Sequence, residues 1–281
     1  MSKNEKLLHE QKEKVAELQK RKIIEVQNVS MRFRLTDDKI MSLKEFVTRK
    51  LSGKYETSEF WALKDVSFDV YRGEVVGIIG HNGAGKTTTL KSVVGIQQFD
   101  AGEITIGGIS LKKDPLACKR QLAYIPDNPD LYDFMTGIKY LNFIADIFGV
   151  SASDRQERIR NYADLFELTD DLAQPIAAYS HGMKQKLAIL SAWIHDPKLI
   201  IMDEPFVGLD PKASHLLKGM MREVCDGGGA IFFSTHVLEV AEKLCDKVAI
   251  IKAGKLIRSG TMEEVKGDDS LEDVFLELEG E

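Results

Sequence analysis

The sequence has few cysteines and no long apolar run. Its 281 residues include three cysteines, Cys118, Cys225 and Cys245, which are too few and too scattered for a disulfide framework or a zinc site. No stretch approaches the roughly 18 uninterrupted apolar residues of a membrane-spanning helix, and the N-terminal residues lack the apolar core of a secretory signal. We therefore expect a cytosolic protein, which needs another chain if it acts across a membrane.

Neither sign of charge dominates the composition. The chain has 38 Lys and Arg against 44 Asp and Glu, a formal net charge of −6. Hydrophobic residues make up 43% and charged residues 29%, values that suit a globular protein and argue against general disorder. Because a mildly acidic chain is a poor candidate for broad nucleic-acid binding, we expect no nucleic-acid partner.

Strand and helix patterns alternate at both ends of the chain, with a mostly helical block between them. Residues 1–22 are charge-rich and predict a terminal helical extension, and the rest, 23–281, predicts one α/β domain. Within it, a polar insertion is expected at about 35–60 and a helical subdomain at about 114–196. Residues 71–74 predict a hairpin turn into the strand 75–79, and Ala253-Gly254 predicts a second hairpin. Ser270 to Asp273 predicts a capping box that opens a last short helix.

A glycine-rich segment follows the predicted strand 75–79. Residues 80–87, Gly-His-Asn-Gly-Ala-Gly-Lys-Thr, match the pattern G-x-x-x-x-G-K-[ST], and a helix-compatible run comes after them. The glycines let backbone N–H groups turn toward phosphate oxygens, and the helix directs its positive end at the same anion. Lys86 would reach the β- and γ-phosphates, and Thr87 would offer its hydroxyl to Mg²⁺. The predicted nucleotide-binding residues here are Asn82, Gly83, Ala84, Gly85, Lys86, Thr87 and Thr88.

Two carboxylates follow the apolar strand at 199–202. Carboxylates at the C-terminal end of a strand lie where open α/β sheets bind ligands. Asp203 is therefore expected to support Mg²⁺, and Glu204 is expected to orient and polarise an attacking water. Asp-Glu after a strand could also be a solvated turn before Pro205, and the phosphate loop is what favours the chemical interpretation.

Three further segments resemble those of one known family. Residues 179–185, Tyr-Ser-His-Gly-Met-Lys-Gln, resemble the LSGGQ signature of ABC ATPases. Residues 208–211, Gly-Leu-Asp-Pro, resemble the D-loop of that family, and residues 234–236, Ser-Thr-His, resemble its switch-histidine segment. All elements occur in the family's order over about residues 23–281. The chain thus resembles the nucleotide-binding subunit of an ABC transporter.

The resemblance implies a fold, a set of partners and roles for named residues. The fold is an α/β P-loop NTPase core, with a mixed sheet, an antiparallel β subdomain and an inserted α-helical subdomain. ATP and Mg²⁺ bind between two copies, or between the chain and a close paralogue, and transmembrane permease subunits complete the transporter at the cytoplasmic face of the membrane. Ser180 and Gly182 contact the γ-phosphate held by the other copy, from the start of a predicted helix. His236 holds Glu204 and the water, so that Lys86, Glu204 and His236 carry catalysis.

The sequence departs from the family pattern at two segments. In the signature, His181 replaces the first glycine and Met183 replaces the glutamine, while Ser180 and Gly182 are kept. Asp127 stands where the family usually has the glutamine of the Q-loop. An aspartate there could still contact Mg²⁺ or its water, although its side chain is charged and shorter. A plain loop residue is the alternative interpretation of Asp127.

The adenine contact has more than one candidate. The family stacks adenine on an aromatic residue upstream of the phosphate loop, and Phe33 fits that position by resemblance. Phe60 or Trp61 could substitute, because both lie near the strand that resumes after the predicted insertion. Core packing is the alternative role for all three rings.

Parts of the sequence resemble subunits of exporters. Residues 35–70 resemble subunits of polysaccharide exporters, whereas residues 125–137 and the C-terminal segment resemble subunits that export drugs, bacteriocins or lipids. We therefore expect export, with a groove in the Q-loop and the helical block, roughly 114–180, receiving a helix of the membrane subunit. Phe134, Tyr140 and Phe143 are candidate contacts, and core packing is the alternative role for each of them. The alternative functions are a soluble ABC-type ATPase acting on ribosomes or DNA, and a regulatory module that binds ATP without turnover.

Overall fold

The computed structural model describes residues 21–36 and 57–280 as two sheets with helices packed around them. The predicted helical extension, apart from its last two residues, and most of the predicted insertion lie outside the described residues. Within the described ranges, no helix is both long and apolar enough to cross a membrane.

The first sheet is antiparallel and four-stranded. Its strands are β1 (Lys22–Thr36), β2 (Thr57–Tyr71), β4 (Ala101–Ile106) and β5 (Ile109–Ser110), in the order β2-β1-β4-β5. Strands β1 and β2 pair along their whole length up to Thr36 and Thr57. They therefore extend into the range that the sequence predicted as an insertion, and the chain between them leaves from the end of a paired ribbon.

The second sheet has six strands, and the phosphate loop and the segments with Asp127, Glu204 and His236 follow its strands. Its order is β10-β9-β3-β8-β7-β6, and all neighbours are parallel except the edge strand β10. The strands are β3 (Val75–Ile79), β6 (Leu122–Ile125), β7 (Leu199–Asp203), β8 (Ala230–Thr235), β9 (Lys247–Lys252) and β10 (Lys255–Thr261). The predicted hairpin at Ala253-Gly254 is confirmed, since it joins β9 to β10.

Helices cover the parallel sheet and fill the space between the two sheets. They are α1 (Lys86–Val93), α2 (Pro115–Lys119), α3 (Gly137–Ile147), α4 (Ala152–Leu165), α5 (His181–Trp193), α6 (Pro211–Asp226), α7 (Leu238–Leu244), α8 (Met262–Lys266) and α9 (Leu271–Gly280). Short 3-10 turns occupy Thr169–Asp171 and Ile176–Ala178. Most of the longer helices begin at a polar cap, as at Asp210, whose carboxylate accepts from the Ala213 N–H at 2.8 Å.

Alternate residues of the parallel strands bury themselves on opposite faces of the sheet. Val75 and Ile79 join a core with α3 to α9, whereas Val76 and Ile78 join a core with α1 and the antiparallel sheet. Such two-sided burial explains why these strands read as continuous apolar runs. Helix α1 is thereby held between the two sheets, directly below the phosphate loop.

The predicted hairpin across residues 71–74 is wrong. Strand β2 belongs to the antiparallel sheet, while β3 pairs with β8 and β9 in the other sheet. The tight turn at Gly73 is real, because its φ is 84°, but it passes the chain from one sheet to the other. Strand β6 was also missed, because its four residues lie in the stretch predicted as helical.

Candidate functional site

The phosphate loop is built from a buried strand, a close backbone approach and a helix start. All five residues of β3 are buried, and the chain then turns through residues 80–85 into α1. Gly80 must be glycine because a Cβ there would lie 2.4 Å from the carbonyl oxygen of Ile251. Gly85 has a φ of 114°, which side chains rarely adopt. The sequence pattern therefore reflects two separate steric requirements.

Helix α1 begins without a side-chain cap. Its N-cap is Gly85, no side chain accepts from its first N–H groups, and its first turn holds no acidic residue. The N-terminal N–H groups and the positive end of the helix dipole are thus available to an anion. Thr87 and Thr88 add hydroxyl groups to the same wall of the cleft.

Lys86 is buried and directed along the loop. Its side chain is 7% exposed, and Nζ donates to the carbonyl oxygen of Gly80 at 2.7 Å and to that of His81 at 3.3 Å. Nζ also lies 3.7 Å from Oε1 of Glu204. A buried ammonium needs such partners, and phosphate oxygens would satisfy the same donors with full opposite charge.

Strands β7 and β8 bring the predicted carboxylates to a buried serine. Asp203 and Ser234 are register partners in the parallel pair, and the Ser234 hydroxyl donates to Oδ1 of Asp203 at 2.5 Å. The backbone N–H of Glu204 donates to Oγ of Ser234 at 3.0 Å. Asp203 is 2% exposed, so this hydroxyl fixes a carboxylate that has little access to water. Sequence reasoning gave Ser234 no role of its own.

Glu204 and His236 form a direct contact at the end of these strands. Nδ1 of His236 lies 2.9 Å from Oε2 of Glu204, and the backbone N–H of His236 donates to the same oxygen at 3.3 Å. Glu204 has a φ of 47°, a left-handed conformation that costs energy for a residue other than glycine. The Glu204 side chain is therefore held between Lys86 on one side and His236 on the other.

The cleft between these groups is lined in part by residues that the sequence analysis names as site candidates. Lining residues include Asn82, Gly83, Gly85, Lys86, Thr87, Thr88, Asp127 and Glu204, together with His81 and the aromatic residues described below. Ala84 is buried behind the loop, and its N–H donates to the His81 carbonyl at 3.1 Å. The predicted phosphate-binding segment and Glu204 thus face one space.

Asp127 also reaches the cleft, although much of its surface is exposed. Partial desolvation raises the pKa of its carboxyl above the usual value, and the negative charges of Asp203 and Glu204 raise it further. Within residues 21–36 and 57–280, no cluster of three or more His, Cys, Asp or Glu side chains could by itself hold a metal ion. Hydroxyl and carboxylate oxygens are the donors Mg²⁺ prefers, and Mg²⁺ normally completes its shell with water and substrate phosphates, so this donor set fits that ion.

Two aromatic rings line the cleft from the antiparallel sheet. Phe33 and Phe60 are cross-strand partners of β1 and β2, and both border the cleft with 38% and 52% of their surface exposed. The Trp61 ring instead lies under the Arg32 guanidinium, 5.5 Å from it. Of the three candidates for the adenine contact, Phe33 and Phe60 therefore lie at the cleft.

Ser180 and Gly182 lie at the start of helix α5. Ser180 caps α5 by accepting from the Met183 N–H at 3.3 Å, and neither residue lines the cleft. Gly182 packs against the backbone after β7, where a Cβ would lie 2.8 Å from the Gly208 carbonyl oxygen. Asp203 and His236 do not line the cleft either, but they adjoin Glu204, Asp203 through Ser234 and His236 directly.

A buried glutamine links α5 to the carboxylate strand, a role that sequence reasoning missed. Gln185 is 0% exposed, and its Nε2 lies 3.5 Å from the carbonyl oxygen of Pro205, directly after Glu204. In the printed sequence it is simply the last residue of the signature segment. Only the contact with the loop after β7 reveals its position, and no local signal could have found it.

Comparison with known proteins agrees with this geometry. Residues 63–207, just over half of the chain, match the ABC transporter family. The chain is 36% identical over 235 residues to the ABC-type transporter ATP-binding protein EcsA of Bacillus subtilis, covering 82% of this chain and 94% of EcsA.

Solved structures show the same fold. A structure described as the ATP-binding subunit of an ABC transporter has a TM-score of 0.79 and 34% identity, over 92% of this chain and 99% of that one. The ATP-binding cassette MJ0796, a dimer with ADP and phosphate, has a TM-score of 0.72 at 20% identity, over 85% of this chain and 98% of that one, a likeness of fold. The chain belongs to the ABC transporter family, as an ATP-binding, ATP-hydrolysing subunit that uses Mg²⁺.

Proposed function

We propose that two copies of this chain bind ATP and Mg²⁺ between them and that hydrolysis powers export through separate membrane-spanning subunits. The observation that carries the chemical part is the series of contacts around one cleft. Lys86 lies 3.7 Å from Glu204, and Glu204 lies 2.9 Å from His236. A phosphate-binding cation, a carboxylate base and a histidine are thus neighbours at the C-terminal edge of one parallel sheet.

The phosphate loop binds the triphosphate. Its backbone N–H groups from Asn82 to Thr88 surround the phosphate oxygens, and the uncapped start of α1 adds the helix dipole. Lys86 exchanges its loop carbonyl partners for β- and γ-phosphate oxygens. Phe33 stacks on the adenine ring, with its cross-strand partner Phe60 beside it.

Thr87, Asp203 and Asp127 would hold the metal ion. Their hydroxyl and carboxylate oxygens suit Mg²⁺, with Asp203 fixed by the Ser234 hydroxyl so that it presents one orientation. When bound, the ion would supply charge neutralisation at the β- and γ-phosphates.

Glu204 and His236 carry the chemical step. Glu204 accepts a proton from the water that attacks the γ-phosphorus, and the bond from that phosphorus to the β–γ bridging oxygen breaks, giving ADP and phosphate. His236 fixes the Glu204 carboxylate through Nδ1 and donates to the γ-phosphate from the other side of its ring. Lys86 stabilises the charge that develops on the phosphoryl oxygens.

A second copy completes the site. Ser180 and Gly182 lie outside the cleft of their own chain, at a helix start suited to an anion, which supports their action on nucleotide bound by another copy. The dimeric state of MJ0796 gives this arrangement further support.

An aromatic cluster supports a membrane partner. The Tyr132 ring lies within 5.7 Å of the Phe134 and Phe143 rings and 6.1 Å from that of Tyr140, and Phe134 is 82% exposed. Large exposed apolar rings in one patch are typical of interaction surfaces. The cluster begins five residues after Asp127, so a chain docked there would be mechanically close to the cleft. We infer that the protein acts at the cytoplasmic face of the membrane.

Glu204→Gln tests the chemical assignment. We expect ATP turnover to fall at least about 100-fold, because the base is lost. The variant should still bind Mg·ATP and should accumulate as an ATP-dependent dimer on size-exclusion chromatography. Glu239→Gln, at an exposed carboxylate that pairs with Lys243 of the same helix α7, is the matched control. Unchanged turnover by the Glu204 variant would remove Glu204 from the role of base.

Phe134→Ser tests the partner assignment. Using the Glu204→Gln chain with Mg·ATP, a pull-down from native membranes should recover a protein with several membrane spans, and Phe134→Ser should abolish that recovery. Ile257→Ser is the control, since Ile257 is exposed on the edge strand β10. Recovery of ribosomes or DNA-associated proteins would leave the ATPase chemistry intact and overturn the transport proposal.

A further inference from the structure

The C-terminal helix α9 contacts the phosphate loop. Phe275 of α9 is 5% exposed and belongs to the core that contains Ile79 and Ile250 of the parallel sheet. Its ring meets the ring of His81 edge to face, with centroids 5.0 Å apart and an interplanar angle of 68°. His81 is the second residue of the phosphate loop and lines the cleft. A residue near the end of the chain therefore supports the cleft wall from behind.

The backbone of His81 connects this ring contact to the lysine. Its carbonyl oxygen accepts from the Ala84 N–H at 3.1 Å and from Lys86 Nζ at 3.3 Å. A backbone shift at His81 that accompanies a change in its ring contact would move this carbonyl and, with it, the Ala84 N–H and Lys86 Nζ that bond to it. His81 therefore contacts Phe275 through its ring and Lys86 through its carbonyl oxygen.

Helix α9 is itself held at both ends. Near its C-terminus, Lys252 Nζ at the end of β9 donates to the Leu278 carbonyl at 2.9 Å. At its start, the Leu271 N–H donates to Oε2 of Glu242 at 3.3 Å, and Oε1 of Glu242 pairs with Lys266 at 2.6 Å. Glu242 lies on α7, the helix that begins two residues after His236. Helix α9 is therefore fixed both to the parallel sheet and to the helix behind the histidine.

We infer that α9 positions the phosphate loop, with Phe275 as a positioning residue that acts through His81. The inference rests on the proposed role of that loop in binding nucleotide phosphates. Phe275 touches no nucleotide in this picture. It restricts the orientations of His81, so that the loop carbonyl and Lys86 are prearranged for phosphate. Its loss should weaken binding of any ligand that the loop holds by its phosphates, whether or not the ligand carries a base.

Phe275→Leu is the first test, because leucine keeps apolar volume in the core and removes the ring. By calorimetry, affinities for Mg·ADP and for magnesium pyrophosphate should both fall about three- to tenfold, the range of one aromatic pair. KM for ATP should rise by a similar factor while kcat stays within about twofold, because the chemical groups are unchanged. Leu276→Ala, the next residue and 61% exposed, is the control and should bind like wild type.

A double-mutant cycle separates positioning from general loosening of the core. His81→Ala removes the other ring, and adding Phe275→Leu to it should cause little further loss, because the contact is already broken. Losses that simply add, or a Phe275→Leu chain that binds like wild type, would overturn the inference. Lys86→Ala run in parallel isolates the cause of a negative result. If that variant also binds like wild type, the proposed role of the loop fails as well.

Discussion

The helices α1 and α5 both begin with residues predicted to bind phosphate, and their starts differ in structure. Helix α1 starts at Gly85 with no side-chain cap, beside the buried Lys86 and the Glu204 carboxylate. Helix α5 starts at Ser180, whose hydroxyl already accepts from the Met183 N–H, and no lysine pairs with it in the described structure. The first N–H groups of α1 have no side-chain acceptor, whereas one of those of α5, the Met183 N–H, is already bonded to the Ser180 hydroxyl.

The start of α1 is therefore a complete anion site within one chain, whereas the start of α5 is a site that needs a phosphate from another copy. The start of α1 has donors, a cation and carboxylates within one chain, so nucleotide binding should need only that chain. The start of α5 is capped by its own serine, and in the proposed dimer its donors would act on a phosphate held by another copy. Mutations at α1 should therefore change binding, and mutations at α5 should change turnover.

Lys86→Ala should have the largest effect on binding. Charge-assisted contacts are worth about 1.5–3 kcal/mol each, so the loss of the Lys86 contact to the β-phosphate should weaken Mg·ADP binding about 10- to 100-fold. Lys91→Ala, in the last turn of the same helix, is the matched control. Titration calorimetry on both variants decides the matter, and near-normal binding without Lys86 would break the comparison.

Gly182→Ala should affect turnover while binding is retained. A Cβ at this position would lie 2.8 Å from the Gly208 carbonyl oxygen, so the α5 start must shift. We expect kcat to fall roughly tenfold, a loss of about 1.4 kcal/mol in transition-state stabilisation, with Mg·ADP affinity unchanged.

The control for that variant is Gly219→Ala in the exposed interior of α6, where the new Cβ meets no atom within 4 Å. It should raise the free energy of unfolding by about 0.5–1 kcal/mol and leave kcat unchanged. An equal loss of Mg·ADP binding and of kcat in Gly182→Ala would show that the two helix starts are not separable.

Phe33→Ala and Phe60→Ala should sharpen the comparison at the base end of the cleft. Stacking on one base is worth about 1–3 kcal/mol, so each variant should weaken Mg·ADP binding at least about fivefold while pyrophosphate binding stays constant. Trp61→Ala is the control, because its ring lies under Arg32. A variant that loses affinity for both ligands has a disturbed loop rather than a lost platform.

Asp127→Asn should give the smallest effect, and one that depends on pH. The pKa of Asp127 is raised in the folded chain, so the folded state disfavours the ionised carboxylate. Ionisation of Asp127 therefore lowers the free energy of unfolding as the pH rises above about 4, the pKa of an aspartate in the unfolded chain. The variant should melt slightly above wild type at neutral pH and at the same temperature near pH 4. Scanning calorimetry at both values checks this, and the exposed neighbour Asp130 serves as the control position.

The sequence predicted the cleft better than the connections around it. Lys86, Thr87 and Glu204 follow apolar strands, and a local pattern plus the rule that strand ends bind ligands was enough to bring them together. The hairpin at 71–74 failed because β3 pairs with β8 and β9, which lie more than a hundred residues away, and a local turn carries no record of such partners. Long-range pairing overrode the local signal.

Two features of the site could not be predicted for related reasons. The role of Ser234 depends on β7 and β8 being neighbours in a register that sets it beside Asp203. The left-handed backbone of Glu204 is imposed by its surroundings, since glutamate has no preference for that conformation. Both require the assembled sheet, which single-sequence patterns do not specify.

The strand order of the parallel sheet fixes the spacing between the segments that carry the site residues. The phosphate loop leaves β3, the histidine segment leaves β8, the carboxylates leave β7 and Asp127 follows β6, and these four strands are neighbours in that order. Neighbouring strands lie about 4.8 Å apart, so the backbones of β3 and β7 are separated by about 10 Å, with β8 midway between them. That separation changes only by whole strands. Smaller changes in the distance between functional groups must come from side-chain length. The aspartate at Asp127, one carbon shorter than the glutamine usual in the family, is the smallest such change.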